Sequence, residues 1–512
     1  MGKFYATTPI YYANDIPHIG SAYTTVAADV LARYHRRRGD DTFFLTGTDE
    51  HGAKVAEAAA QHGVSPKEYT DRIVAHFQEA WHLLGISNDH FIRTTDPRHE
   101  AGVQAFLAKL HERGEIYPGK YEGLYCVGCE AYVSPDELVD GLCPTHRRPP
   151  VVYSEDNYFF RLGKYQDVLI KAITDETDPN HYTVAPVARR NEVLGKIRVG
   201  LSDISISRAS LAWGVPLPFD PSQTAYVWVD ALLNYITAIG YADDPDTFAR
   251  LWPADVHLVG KDILWFHAII WPAMLIAAGV RPPAMVFAHG FFTVNGQKMS
   301  KSLGNVIVPG ELVQRFGADA SRYLLLSEFP FGLDGDISLP SFVTRYNAEL
   351  ANDLGNLLNR TVAMINRYFG GKVPAPGSAT ELDDGLKRLA ADTSGEVAAR
   401  LDHLEFEEAI AAVRGLVTRA NKYVEETAPW TLARTDRQRL ETVLYNLAEV
   451  ERLIAELLWP FMPTTSEKMA EQLGTRLGLG GGWTGRALQW GQFPHGAKVT
   501  PKPTPIFPRI ES

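Results

Sequence analysis

Residues 4–52, FYATTPIYYANDIPHIGSAYTTVAADVLARYHRRRGDDTFFLTGTDEHG, decide the fold of this protein. Residues 4–12 are aromatic and β-branched and end at a turn, which predicts a strand. Apolar residues then recur at helical spacing from about residue 18 to 38, where three arginines and Gly39 are typical of a helix end. Residues 42–49 predict a second strand. Strand, helix and strand in this order predict a βαβ unit, and therefore a parallel sheet with a right-handed crossover.

The rest of the chain divides into parts with different patterns. Alternation of strands and helices over residues 1–115 and 230–290 predicts a Rossmann-type α/β catalytic domain in two segments. Residues 116–229 are rich in Pro, Gly and Tyr, carry all three cysteines, and predict a connective insertion. Residues 291–345 contain a basic loop. Apolar helical stripes over residues 346–512 predict an all-α bundle with polar faces outward and a Pro-rich C-terminal strap.

Composition limits the function classes. The chain has 512 residues, of which 45% are hydrophobic and 22% charged, as in soluble globular proteins. The net charge of −11 provides no global positive field, so an RNA-binding surface must be a local patch and no DNA-binding role is expected. We find no signal peptide pattern and no apolar run long enough to cross a bilayer, which predicts a cytoplasmic protein without a membrane partner.

The start of the first helix predicts a phosphate site. It lies at the carboxyl edge of the sheet, where ligands bind in such folds, and free N–H groups at a helix N-terminus attract phosphate. His18 can donate to phosphate oxygens, and Gly20 lets the backbone approach closely. A turn-capping histidine with a packing glycine is the alternative. Asp49 ends the second strand and can bind an ammonium group or cap a helix.

A second motif, NGQKMSKSLGN at residues 295–305, places Lys298 and Lys301 among glycines and serines. Such a cationic loop can close over a triphosphate and neutralise charge on leaving pyrophosphate. The alternative is a solvated basic loop.

The two motifs together, HIGS at 18–21 and KMSKS at 298–302, resemble the signatures of the class I aminoacyl-tRNA synthetases. Further segments are similar to the methionyl-tRNA synthetases in particular: TPIYYAN at 8–14, LTGTDEHG at 45–52, YVWVDAL at 226–232, GKDI at 260–263 and APW at 428–430. The resemblance implies an enzyme that activates L-methionine with ATP and Mg²⁺ to methionyl-adenylate. It then transfers the methionyl group to the 3′ end of tRNA(Met), initiator tRNA included.

The resemblance also implies the roles of individual residues. The expected catalytic residues are His18, Lys298 and Lys301, and the expected ATP-binding residues are these three with Gly20, Ser21, Gly260 and Asp262. The expected methionine-binding residues are Ile10, Tyr12, Asp49, Arg208, Trp228, Ala231, Tyr235, Ile263 and His267. Trp228, Ala231 and Tyr235 share one face at helical spacing, which is also the pattern of an ordinary core stripe.

Ser21 departs from the family pattern, because the fourth position of the first signature is usually His. A neutral hydroxyl gives a weaker phosphate hydrogen bond than a charged donor. We expect His18, backbone N–H groups and the loop around Lys301 to compensate.

The cysteines predict a metal site. Cys126 and Cys129 form C-x2-C, and Cys143 and His146 follow after a 13-residue gap as C-x2-H. Three thiolates and one imidazole make the closed tetrahedral set of a structural zinc, one per chain, which would shape the insertion. A redox disulfide is the alternative.

An RNA-binding surface is predicted on the helical part. Asn356 and Arg360 lie at i, i+4 opposite the apolar stripe, and Trp430 follows a proline where its indole would be exposed. The alternative is that Asn356 and Arg360 lie on an ordinary solvated helix face and that Trp430 only packs against its neighbours. The resemblance implies that these three residues read the CAU anticodon.

Two other functions stay open at this point: another class I synthetase, such as the cysteinyl enzyme, and a non-catalytic tRNA-binding module derived from the same fold. Some relatives carry a further C-terminal domain that dimerises, which this sequence lacks, and we therefore expect a monomer.

Overall fold

The computed structural model describes residues 2–511 apart from 129, 130, 134, 146, 300–304, 479–481 and 484. The strands are β1 Lys3–Tyr12, β2 Asp41–Asp49, β3 His90–Arg93, β4 Ile116–Cys126, β5 Ala131–Val133, β6 Val151–Phe160, β7 Thr183–Ala185, β8 Ile204–Ser205, β9 Ser207–Arg208, β10 Pro216–Leu217, β11 Asp220–Ala225, β12 Val256–Gly260, β13 Met285–His289, β14 Phe292–Val294, β15 Gln297–Lys298 and β16 Gly335–Ile337.

The helices are α1 Ile19–Arg38, α2 Ala53–Gln61, α3 Pro66–Leu83, α4 Pro97–Glu112, α5 Gln166–Thr174, α6 Val187–Val199, α7 Val227–Leu232, α8 Asn234–Thr237, α9 Pro245–Leu251, α10 Trp271–Ala278, α11 Pro309–Phe316, α12 Ala318–Ser327, α13 Leu339–Arg345, α14 Asn356–Phe369, α15 Glu381–Asp402, α16 Phe406–Thr427, α17 Pro429–Thr435, α18 Arg437–Leu458 and α19 Pro463–Leu473. Two further segments, Phe266–Ile270 and Tyr346–Gly355, are π-helical.

The central sheet has the strand order β3-β2-β1-β12-β13-β7, and all of its strand pairs are parallel. β2 lies on one side of β1 and β12 on the other, with Tyr5 opposite Phe43 and Thr7 opposite His257. The chain therefore reverses its direction of winding beside β1. Ligands bind at such a switch point, outside the carboxyl ends of the strands. The predicted βαβ unit and parallel sheet are confirmed.

Helix α1 crosses from the sheet to the helical domain. Most of its side chains are buried, and it ends at Gly39, whose φ of 86° is the left-handed conformation that glycine adopts readily. At this end the Arg37 guanidinium bonds to Glu456 at 2.8 Å and lies 4.8 Å from the ring centroid of Trp459. The helix that begins at the sheet edge is thus anchored on α18.

The insertion predicted at 116–229 shares an element with the catalytic sheet. β4, β5, β6 and β8 form a separate antiparallel sheet, but β7 adds to the edge of the central sheet beside β13. A three-residue strand that ends before Pro186 has too few residues to show an alternating pattern.

The helical domain is organised around α18. From Thr442 to Leu458 this helix is buried on all sides, and the charged residues within this range are buried as well. Glu449 accepts hydrogen bonds from the backbone N–H groups of Gly491, Gln492 and Phe493. The expectation that polar faces point outward is therefore wrong for this helix, because residues 487–493 and Arg37 supply partners for its charges.

The C-terminal strap, residues 501–510, contacts the π-helical segment Tyr346–Gly355 that precedes α14. Tyr346 donates its hydroxyl hydrogen bond to the carbonyl of Pro508, and Asn347 bonds twice to the backbone of Ile510. Among the described helices, none is both long and apolar enough to traverse a lipid bilayer.

Candidate active site

A cavity of about 730 Å³ opens at the carboxyl ends of β1, β2, β12 and β13. This volume is in the usual range of small-molecule sites. The cavity brings together thirteen of the predicted methionine- and ATP-binding residues: Ile10, Tyr12, His18, Gly20, Ser21, Asp49, Trp228, Ala231, Tyr235, Gly260, Asp262, Ile263 and His267. Residues from both halves of the catalytic domain therefore form one site.

The end of the cavity that is predicted to bind phosphate is the start of α1. His18 is the N-cap, and its Nδ1 accepts a hydrogen bond from Gly20 N at 3.0 Å. A neutral His18 ring consequently carries its proton on Nε2, where it can donate to a ligand. Desolvation lowers the pKa of His18, and Asp15 opposes that shift. A Cβ at Gly20 would lie only 2.7 Å from His18 Cε1, so a larger residue here would displace the His18 ring.

The Ser21 hydroxyl has a local structural partner. It donates to the carbonyl of His18 at 2.7 Å and accepts from the backbone N–H of His18 at 3.2 Å, which completes a capping box. Ser21 lines the cavity, but its hydroxyl orients the helix start on which the phosphate site depends.

The end of the cavity that contains the predicted methionine-binding residues is aromatic, and its Tyr235–His267 pair is uncharged. Tyr235 donates to His267 Nε2 at 2.7 Å, and His267 Nδ1 donates to the carbonyl of Ile263 at 3.0 Å. Burial lowers the pKa of His267 to about 4, although its bond to the Ile263 carbonyl acts in the opposite direction. Trp228 stacks on Phe266 with the ring centroids 4.0 Å apart. Flexible thioethers pack well against such aromatic walls.

Asp49 supplies the carboxylate at this end. It is the last residue of β2, is almost fully buried, and lines the cavity. A buried carboxylate beside a ligand cavity suits an ammonium group, because burial makes an ion pair stronger than it is in water.

The predicted helical spacing of the pocket residues differs from the structure in detail. Leu233 separates α7 from α8, and Tyr235 therefore reaches the cavity from the second short helix. The segment Phe266–Ile270, which contains His267, is a π-helical turn, and Trp271 just after it is fully buried and bonds to His257. π-Helical turns are frequent at functional sites.

Arg208 does not line the cavity. Its guanidinium bonds to the carbonyl of Ser207 at 2.7 Å and lies 4.2 Å from the ring centroid of Tyr226. The predicted contact of Arg208 with methionine stays a prediction.

The rim of the cavity beside Gly260 is held by an ion pair. Lys261 Nζ lies 2.6 Å from Asp334, whose other carboxylate oxygen accepts from Phe291 N at 2.8 Å. The Gly260–Asp262 turn is thereby attached to the segment before β14.

The second signature begins on a β-hairpin. Lys298 pairs through its backbone with Thr293, and Met299 lines the same cavity as His18 and Gly20. Residues 300–304, including Lys301, lie outside the described residues. The two signature motifs therefore meet in the structure at Met299.

Several cavity residues were not predicted from the sequence: Tyr23, Thr24, Asn234, His289, Phe291, Phe292 and Met299. His289 is the clearest omission, because it ends β13 just as Asp49 ends β2. Its Nε2 is bonded to Thr24 Oγ1 at 2.7 Å, and burial lowers its pKa to about 4. The rule that ligands contact residues at strand ends would have identified it.

The predicted zinc site is described only in part. Cys126 and Cys143 are both buried, whereas Cys129 and His146 lie outside the described residues. Among the residues that are described, no metal-binding cluster of three or more is present. A tight turn begins at Cys143, since Arg147 N donates to its carbonyl at 2.8 Å.

The predicted anticodon residues lie on the helical domain. Asn356 is exposed, and Trp430 is 45% exposed at the start of α17. Arg360 forms an ion pair of 2.7 Å with Glu425 near the end of α16. This pair joins α14 to the helix that ends just before Trp430.

Comparisons with known proteins agree with this geometry. The family described as tRNA synthetases class I (M) matches residues 4–149 and 145–362, and the anticodon binding domain of methionyl tRNA ligase matches residues 373–512. The chain is 50% identical over 99% of its length to the methionine–tRNA ligase of Caldanaerobacter subterraneus, covering 79% of that protein, and 47% identical to that of Streptomyces coelicolor, covering 99% of the chain and 97% of that protein.

The chain belongs to the methionyl-tRNA synthetase family. A methionyl-tRNA synthetase of Mycobacterium tuberculosis, solved in complex with methionyl-adenylate, has the same fold with a TM-score of 0.94 and 41% identity, covering 99% of this chain and 100% of that one. The predicted family, fold class, enzyme class and function are confirmed: the chain is a class I methionine–tRNA ligase. The cysteinyl and non-catalytic alternatives are wrong.

Proposed function

We propose that methionyl-adenylate forms in the cavity between Asp49 and the start of α1. Asp49 holds the α-ammonium group of methionine, and the thioether lies against Trp228, Tyr235 and His267. The α-carboxylate then attacks the α-phosphorus of ATP in line, and pyrophosphate leaves. Catalysis at this step consists of positioning and charge stabilisation.

The observation that carries this proposal is that one cavity has two chemically different ends. One end is aromatic and contains one buried carboxylate, and the other is a helix N-terminus with a histidine donor. A ligand that combines an amino acid with an adenylate phosphate matches both ends.

The phosphates are bound by His18 Nε2 at the positive end of the α1 helix dipole. Ser21 acts mainly through the capping box, which explains how the family histidine can be replaced by a serine. Lys298 and Lys301 neutralise the leaving pyrophosphate, and Gly260 and Asp262 contact the adenosine ribose. Mg²⁺ enters with ATP as its phosphate complex.

In the second step a hydroxyl of the terminal tRNA ribose, the 2′-hydroxyl first, attacks the carbonyl carbon of the adenylate, and AMP leaves. Asn356, Arg360 and Trp430 read the CAU anticodon of both initiator and elongator tRNA(Met). The exposure of these side chains supports this role, because unstacked bases need accessible aromatic and polar groups.

A structural zinc is proposed for Cys126, Cys129, Cys143 and His146. The burial of both described thiols and the turn at Cys143 suit a closed set of four ligands. When bound, the metal would stabilise the insertion and take no part in either reaction step. We also propose that the enzyme acts in the cytoplasm as a monomer.

The test is ATP–pyrophosphate exchange with each amino acid in turn, alongside charging of tRNA(Met) and measurement of zinc per chain. We expect exchange with methionine, no exchange with cysteine, and one zinc ion per chain. Exchange that is independent of methionine would contradict the proposed site, and zinc-free enzyme with an intact insertion would contradict the metal assignment.

A further inference from the structure

A buried network of hydrogen bonds lies behind the methionine end of the cavity. Asp230 accepts from His51 Nδ1 at 2.7 Å through one carboxylate oxygen and from His99 Nε2 at 2.9 Å through the other. His99 Nδ1 is in turn bonded to Thr237 Oγ1 at 2.7 Å. All four side chains are almost completely buried.

The network joins the two elements that form opposite walls of the methionine site. His51 follows Asp49 by two residues at the end of β2, and Asp230 lies in α7 between Trp228 and Ala231. Asp49, Trp228 and Ala231 line the cavity, whereas His51, His99 and Asp230 do not. The network members therefore act on a ligand only through their neighbours.

Within the network, Asp230 and His51 each favour the charged form of the other. Burial alone would raise the pKa of Asp230, but His51 and His99 lower it to about 2. Burial alone would lower the pKa of His51, but Asp230, Glu100 and Glu50 together raise it. A buried charge is tolerated only when it is paired in good geometry, so such a pair fixes the distance between the elements that carry it.

The other groups that face His51 are few. Its Nε2 lies 3.8 Å from Glu100 Oε1, and the edge of its ring contacts Trp213 with centroids 5.2 Å apart. Glu50 is paired with Arg93, and the Trp213 indole donates to the Glu50 carbonyl. Asp230 is thus the nearest anionic partner of His51.

We propose that Asp230 is a positioning residue for methionine binding, which holds α7 at a set distance from Asp49 through its bonds to His51 and His99. The inference rests on the proposed function, because it assumes that Asp49 and α7 bind methionine. The phosphate end of the cavity is built from α1 and β13, which the network does not contact. Loss of the network should therefore weaken methionine binding selectively.

Asp230→Asn is the central variant, tested by methionine-dependent ATP–pyrophosphate exchange. Both histidines point N–H groups at the carboxylate, and an amide can accept from only one of them. We expect the KM for methionine to rise about tenfold at pH 7.5, while the KM for ATP changes less than about twofold. Asp243→Asn is the matched control, because it breaks the exposed pair with Arg98, the residue beside His99.

The pH profile separates positioning from general stability. In the unaltered enzyme the KM for methionine should rise as the pH increases through the pKa of His51, because deprotonation removes the ion pair. In Asp230→Asn the profile should be flat, since the amide cannot stabilise the imidazolium. Should circular dichroism show that this variant does not fold, His51→Asn replaces it, because its amide can donate to Asp230 without a charge.

An equal rise of both KM values, or an unchanged KM for methionine, would overturn the proposal. A pH profile that is the same in variant and unaltered enzyme would overturn it as well. Absence of methionine-dependent exchange from the unaltered enzyme would instead contradict the proposed function, which distinguishes the two failures.

Discussion

The methionine end of the cavity and the anticodon surface are built in opposite ways. Tyr235 and His267 are almost fully buried and bonded to each other, whereas Trp430 is 45% exposed. In the first region hydrogen bonds between buried side chains hold the geometry, and the second presents the exposed side chains that we propose contact tRNA. Changes in the cavity should therefore affect methionine activation and tRNA charging alike, and changes on the surface should affect only tRNA charging.

Asp49→Asn should have the largest effect. Replacing the carboxylate removes a charge-assisted hydrogen bond to the ammonium group, a loss of about 3 kcal/mol or roughly 100-fold in kcat/KM for methionine. Methionine-dependent exchange and tRNA charging should fall together. Asp255→Asn, at the opposite edge of the sheet beside Lys3, is the control and should leave exchange unchanged. If kcat/KM for methionine fell less than threefold in Asp49→Asn, Asp49 would not be the main polar contact of the ammonium group.

Trp430→Ala, on the anticodon surface, should have the next largest effect. Stacking of a base on an aromatic side chain contributes about 1–3 kcal/mol, so charging of tRNA(Met) should fall roughly 10- to 100-fold. Exchange without tRNA should stay within twofold, and Leu382→Ala, another exposed apolar change in the helical domain, should alter neither. Parallel losses of exchange and charging would show that the two regions are not independent.

Glu451→Gln probes the interior beneath the anticodon surface. Burial raises the pKa of Glu451 to about 8, with Thr361 of α14 opposing the shift. The pKa of Glu451 is higher in the folded state than in the unfolded state. Its carboxyl group therefore stabilises the folded state fully below about pH 4.5, and this stabilisation is lost as the pH rises through 8. Relative to the unaltered enzyme, the variant should gain roughly 1–3 kcal/mol between pH 5 and pH 8.5.

Denaturant unfolding at both pH values measures this gain, and Glu441→Gln on the same helix is the control. An equal stability difference at pH 5 and pH 8.5 would mean that Glu451 is not held protonated by burial.

Ser21→Ala should have the smallest effect. Loss of the capping box costs about 1 kcal/mol, which corresponds to about a fivefold decrease in exchange and a lower thermal midpoint. Ser21→Thr keeps the hydroxyl and should restore both. A 100-fold loss of exchange with an unchanged melting temperature would instead identify Ser21 as a direct phosphate ligand.

Local patterns of the sequence predicted the catalytic fold well. β1, α1 and β2 match the predicted segments within one residue at each end, because their periodicity and the stop at Gly39 are properties of neighbouring residues. The burial of α18 could not be predicted in the same way. Its glutamates resemble an exposed face, but Glu449 is bonded to the backbone of residues 491–493 and Glu456 to Arg37, far away in the sequence.

In the site, too, features set by local sequence were predictable and contacts between distant residues were not. Asp49 and His18 were predictable because each lies at an element end, where a general rule applies. The bond between His51 and Asp230 joins residues 179 positions apart, and no local pattern indicates it. The π-helical turn at Phe266–Ile270 was not predicted from the sequence either.

The proposed site can be tested by a crystal structure of the enzyme with a non-hydrolysable methionyl-adenylate analogue. We expect the α-amino nitrogen within about 3 Å of the Asp49 carboxylate and the thioether against Tyr235 and His267. We also expect the phosphate mimic at the N-terminus of α1, beside His18. An analogue whose amino nitrogen lies beyond hydrogen-bond distance of Asp49, or whose phosphate mimic lies away from α1, would contradict the proposed site.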